Sequence, residues 1–132
     1  MRKNFILFLV LATTLTGFLS CSDDDDFDYP METLYGKWNG TEVEIDGKWI
    51  DITGWVYQKF QFSIEFHSDG TYYGDGYFGT GSGTYKAKNN VITTYVDGDE
   101  YGIYHIKSLS ENEVVATMSF GGESMNIKAK KK

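Results

Sequence analysis

The chain has 132 residues, enough for one domain, with 41% hydrophobic and 23% charged residues in ordinary globular proportion. Aromatic residues at 17%, 15 glycines and a single proline favour strands over helices. A net charge of −7 argues against a nucleic-acid partner, because phosphate binding needs a basic surface.

In chain order, Arg2 and Lys3 precede "FILFLVLATTLTGFL" (5–19), 15 residues without a charge. A bilayer span needs about 20. A basic start, a short apolar middle and a small residue before a cut form the pattern of a signal peptide over residues 1–20. Cys21 is the only cysteine, so it cannot form an intrachain disulfide. "FLSC" (18–21) resembles the lipobox of bacterial lipoproteins, with Phe18 where Leu is commoner. The resemblance implies cleavage between Ser20 and Cys21 and acylation of Cys21. Several acyl chains anchor durably, at about 0.8 kcal/mol per buried methylene. "SDDDD" (22–26) resembles the acidic export signal of Bacteroidetes surface lipoproteins, which implies an outer-membrane, surface-exposed location. As charge alone, Asp23 to Asp26, Asp28 and Glu32 self-repel and extend, making residues 21–33 a solvated tether. Residues 23–33 would reach at most about 36 Å.

The body, residues 34–132, reads as strands. One is expected from about Leu34 to Ile45. In "KFQFSIEF" (59–66), Phe60, Phe62, Ile64 and Phe66 alternate with polar residues, the period of a half-buried antiparallel strand. "TYYGDGYF", "GTYKA", "VITTYV", "YGIYHI" and "VVATMSF" follow, and Met125, Ile127 and Ala129 alternate in the last strand. Asn-Asn at 89–90, Asp-Gly at 97–98 and Gly-Gly at 121–122 suit tight hairpins. Eight strands at about 12 residues each, joined by short connections, predict an all-β, antiparallel up-and-down barrel that closes to remove its edges.

"GKW" (36–38) resembles the Gly-x-Trp signature on the first strand of lipocalins, where the indole closes one barrel end. With "LYGKW", "F…DGTY" around Phe66 to Tyr72, "GTYK…NNVIT" (83–93) and "YHIKSLSENEVV" (104–115), the body resembles the lipocalin-like domains of Bacteroidetes lipoproteins. The body is shorter than a classical lipocalin and shows no C-terminal helix pattern, so a shallow or filled lumen stays open.

An eight-stranded barrel is just wide enough to be filled by side chains or to hold one small ligand. In "GTYYGDGYFGTGSGTY" (70–85), glycines could open volume while tyrosines line it, or they could mark bends over which aromatic rings pack as core. The candidate ligand-lining residues are Trp38, Tyr72, Tyr77, Tyr85, Tyr95 and Tyr104. Trp49 and Trp55 bracket "WIDITGW" in the one longer connection, as a contact loop at the barrel mouth or as a plug.

Nothing in the sequence forms a catalytic or metal motif. His67 falls at a strand end, and His105 faces outward by parity against Tyr104 and Ile106. "DGDE" (97–100) lacks the ligand spacing of a calcium loop and reads as a turn. No cofactor is expected. Two functions survive: a lipid-anchored envelope protein that binds a small apolar or glycan ligand, or a filled-core barrel that docks another envelope protein.

Overall fold

The computed structural model describes residues 26–132, and within them the period-two alternation becomes a ring of antiparallel strands. A short helix, α1 (Met31–Leu34), precedes β1 (Gly36–Ile45) and β2 (Lys48–Asp51). Then come β3 (Phe62–Phe66), β4 (Thr71–Gly76), β5 (Gly81–Lys88), β6 (Val91–Val96), β7 (Asp99–Leu109), β8 (Glu113–Phe120) and β9 (Glu123–Lys131). Neighbours follow chain order from β3 to β9, and β1 pairs with both β3 and β9, which closes an eight-stranded barrel.

Two features differ from the expectation. The longer connection contains a ninth strand: β2 folds back on the second half of β1, pairing Val43 with Ile50 and Glu44 with Trp49. Trp49 is therefore a strand residue, and Lys128 Nζ lies 4.3 Å from the centre of its ring. The turn that permits this is Asp46-Gly47, with φ of 52° and 79°, the two positive angles of a tight hairpin. The tether is also shorter than read. Asp28 N–H donates to the Asn89 carbonyl at 2.7 Å, Asn89 N–H donates to the Asp26 carbonyl at 2.8 Å, and Phe27, Tyr29 and Met31 pack against the core. Apolar side chains at these alternating positions outweigh the repulsion of the neighbouring carboxylates, because they gain area out of water. Cys21 and the expected signal peptide, residues 1–20, lie outside the described residues.

The barrel has two unlike ends. At the end where β1 begins, α1 forms a cap: Leu34 and Trp38 are buried, and the Trp38 indole N–H donates to the Leu34 carbonyl at 2.9 Å. Lys131 Nζ donates to the Thr33 carbonyl at 2.7 Å and lies 5.0 Å from the Trp38 ring centre, so β9 clamps the cap. At the opposite end the described residues form no such cap, only a single 3-10 turn at Gln58–Phe60. There the 52–61 connection, the β4–β5 loop and the turns at 97–98 and 121–122 surround a mouth. The ring of strands, its core and its cap all lie within residues 27–131, so this stretch carries what the barrel needs to fold.

Candidate functional site

The interior divides into two unequal parts. Toward the cap, Phe66, Ile92, Ile106, Val114, Ile127 and their neighbours leave a space of only about 30 Å³ with no polar lining, which is ordinary core packing. Toward the mouth lies a chamber of about 100 Å³ walled by Phe62, Phe78, Tyr72, Thr94, Tyr101 and Tyr104. Typical small-molecule pockets run to roughly 300–1,000 Å³, so this chamber suits a few heavy atoms and not a fatty acid.

Of the six predicted lining residues, two reach the chamber. Tyr72 and Tyr104 do so because β4 and β7 place them in phase with buried neighbours. Trp38 is the cap. Tyr85 is buried toward the cap, where its hydroxyl donates to the His67 carbonyl at 2.8 Å and its ring meets Phe66 edge-on at 4.8 Å. Two are corrections. Tyr95 falls out of phase with buried Ile92 and Thr94 and so faces away from the interior. Tyr77 lies beyond the end of β4, 45% exposed at the mouth, its ring 5.1 Å from Phe60. Strand β4 ends at Gly76, whose φ of 101° turns the chain before Tyr77 can take an inward position. Trp55 in the connecting loop is 82% exposed, so it is no plug.

Thr94 and Tyr101 escaped the sequence reading, and both depend on one irregularity. Thr94 pairs with Gly102, but Tyr95 pairs with Glu100, which leaves Tyr101 as an extra residue in β7. Such a bulge re-aims a side chain. Tyr101, outward by simple parity, turns to the mouth and donates its hydroxyl to the Phe78 carbonyl at 2.6 Å. Thr94 repairs the ladder beside the bulge: its Oγ1 donates to the Gly102 carbonyl and accepts from the Gly102 N–H, both at 3.0 Å. No local signal in the sequence announces a bulge there.

The chamber is therefore a cluster of phenols in an apolar wall. Burial pushes the Tyr104 phenol well above its ordinary pKa, and the nearby Tyr72 and Tyr101 push in the same direction. Burial likewise raises Tyr72, while a hydrogen bond with Thr94 pulls the other way. Both hydroxyls stay neutral donors at physiological pH. The Tyr104 side chain is 7% exposed, and its hydroxyl has no hydrogen-bond partner among the described residues. An acceptor placed in the chamber could take a hydrogen bond from this donor. The chamber wall contains Asp75 and no Lys or Arg, so it does not favour an anion.

The histidines lie elsewhere. His67, in the β3–β4 turn, meets Thr71 Oγ1 at 2.9 Å and Glu65 Oε2 at 3.3 Å, and His105 is exposed on the outer face of β7. Among the described residues no three His, Cys, Asp or Glu side chains are grouped to hold a metal.

Residues 34–116 match the family described as a lipocalin-like domain. No curated protein and no solved structure matches the chain.

Proposed function

The chain belongs to the lipocalin-like domain family, and we propose that it is a binding protein for a small neutral ligand carrying a hydrogen-bond acceptor. The buried hydroxyl of Tyr104, bonded to no other described residue and bordering the chamber of about 100 Å³, carries this reading. The acceptor sits against Tyr104, and the apolar remainder packs on Phe62 and Phe78. Exclusion of an anionic ligand follows from the wall, where a carboxylate and no cation would face it. In the cell the domain is held to the outer membrane by acylated Cys21 and displayed at the surface.

Acetone serves as a minimal probe. Titrated into residues 26–132, it should give saturable chemical-shift changes at Tyr72, Thr94, Tyr101 and Tyr104. Tyr104→Phe should weaken it about fivefold, the effect of one neutral hydrogen bond. Changes that never saturate, or that ignore Tyr104→Phe, would overturn the proposal.

A second reading, docking of an envelope protein, draws on the mouth loop, where Trp55 is 82% and Val56 64% exposed. It requires nothing of the chamber, so an acetone titration that fails would favour it.

A further inference from the structure

A second space adjoins the chamber. Between the β4–β5 loop and the β8–β9 hairpin, Tyr77, Phe78, Met118, Phe120 and Met125 line a groove of about 340 Å³. The groove lies open at the mouth, and the chamber behind it is too small for most ligands. One side chain is common to both linings: Phe78, 9% exposed, its ring edge-on to Phe62 at 5.0 Å. Phe78 is the partition between them.

The partition has a latch. Phe78 sits in a four-residue loop between Gly76 and Gly81, and Gly79 takes a φ of 105°. Tyr101 donates its hydroxyl to the Phe78 carbonyl at 2.6 Å, while its ring packs at 4.9 Å on Phe120, a residue of the groove wall. A Cβ on Gly79 would stand 2.1 Å from the Tyr101 hydroxyl, so glycine there is what lets the latch close. The bulge that re-aims Tyr101 thus ties β7 to the loop that divides the two spaces.

We propose that Phe78 is a gate, and that the natural ligand is a neutral, flat aromatic molecule with one acceptor, its head in the chamber and its body in the groove. The proposal rests on the assignment of the chamber as the acceptor site. The walls of the groove specify the class: Phe120 and Tyr77 offer rings for stacking, and Met118 and Met125 offer polarizable sulfur that adapts to an aromatic edge. Glu123 at the groove and Asp75 at the chamber, with no Lys or Arg in either lining, disfavour an acidic ligand. Entry of such a molecule displaces Phe78 and breaks the Tyr101 latch.

Prodan, a neutral naphthalene bearing a ketone, is the test probe, titrated into residues 26–132 and read by its emission shift. The wild-type protein should bind it saturably. Tyr101→Phe removes the latch hydroxyl and keeps the ring, and it should tighten prodan about fivefold, because binding no longer breaks that hydrogen bond. Phe78→Ala should tighten it further. Should that variant fail to fold, Tyr101→Phe decides alone. An unsaturable wild-type response, or a Tyr101→Phe variant that binds prodan no more tightly, would overturn the gate. The two proposals separate cleanly. Acetone binding that depends on Tyr104 with prodan binding indifferent to Tyr101→Phe leaves the chamber standing and removes the gate. Prodan binding tightened by Tyr101→Phe with acetone indifferent to Tyr104→Phe keeps the gate and removes the acceptor assignment.

Discussion

Thr94 shows how much one hydroxyl can hold. It is 1% exposed, and its Oγ1 closes both backbone groups of Gly102 where the β6–β7 ladder slips. Valine fills nearly the same volume, yet it would strand a buried N–H and a buried C=O. Thr94→Val should therefore cost about 1–3 kcal/mol, read as a lower urea midpoint with an unchanged slope. Thr94→Ser should recover most of the loss, since it restores the oxygen and removes only a methyl group. A valine variant as stable as the parent would mean that the bulge is held by the turn and not by Thr94. Tyr104 is the contrasting case: no described residue takes its donor, and it borders the chamber where an acceptor of a ligand could meet it.

The β4–β5 pair explains the glycine run at the level of the element. Tyr72 lies opposite Gly83 in the register, and Gly74 opposite Gly81. A Cβ on Gly83 would fall 1.9 Å from the Tyr95 carbonyl oxygen and 3.1 Å from the Tyr72 ring. Here the glycine is required by close approach of β6 and by the ring lying over it, as in aromatic cover of strand glycines. Gly83→Ala should destabilise by about 1–3 kcal/mol through overpacking, seen as a fall in Tm of several degrees. An unchanged Tm would show that β5 can shift outward without loss. Gly81, with nothing within 4 Å of its built Cβ, makes the internal control. Both readings of "GTYYGDGYFGTGSGTY" thus hold in part: some glycines are contact points of a coiled sheet, while Gly74, Gly79 and Gly81 help to line the chamber.

Across the whole molecule the two poles have different work. The chain enters the barrel at the capped end, where residues 26–28 are bound to Asn89 and α1 covers Trp38. Four residues separate Asp26 from Cys21, five steps with a reach of at most about 17 Å. An acylated Cys21 would therefore hold the cap close to the bilayer and point the mouth, with Trp55, Tyr77 and the groove, away from it. Cys21→Ala should abolish acyl labelling and release the protein from the membrane fraction. Unchanged fractionation would sink the anchor and leave the barrel untouched. Closure also protects the fold, because β9 returns to β1 and leaves β2, four residues that begin with Lys48 and end with Asp51, as a short free edge among the described strands.

Alternation by two in "KFQFSIEF" and the turn pairs Asp97-Gly98 and Gly121-Gly122 were enough to predict strands, hairpins and a closed antiparallel barrel. Those properties are local: a side chain's face follows from its neighbours, and a positive φ from its own residue. The same locality made Trp38, Tyr72, Tyr85 and Tyr104 legible as inward residues. What the sequence could not carry is every quantity set across strands. The space left inside, the aim of Tyr101 and the docking of residues 26–33 each depend on where a bulge, a ring or a carbonyl lands on a strand distant in the chain. Register determines them, and a bulge shifts register with no local residue pattern to mark it; only the folded barrel decides them.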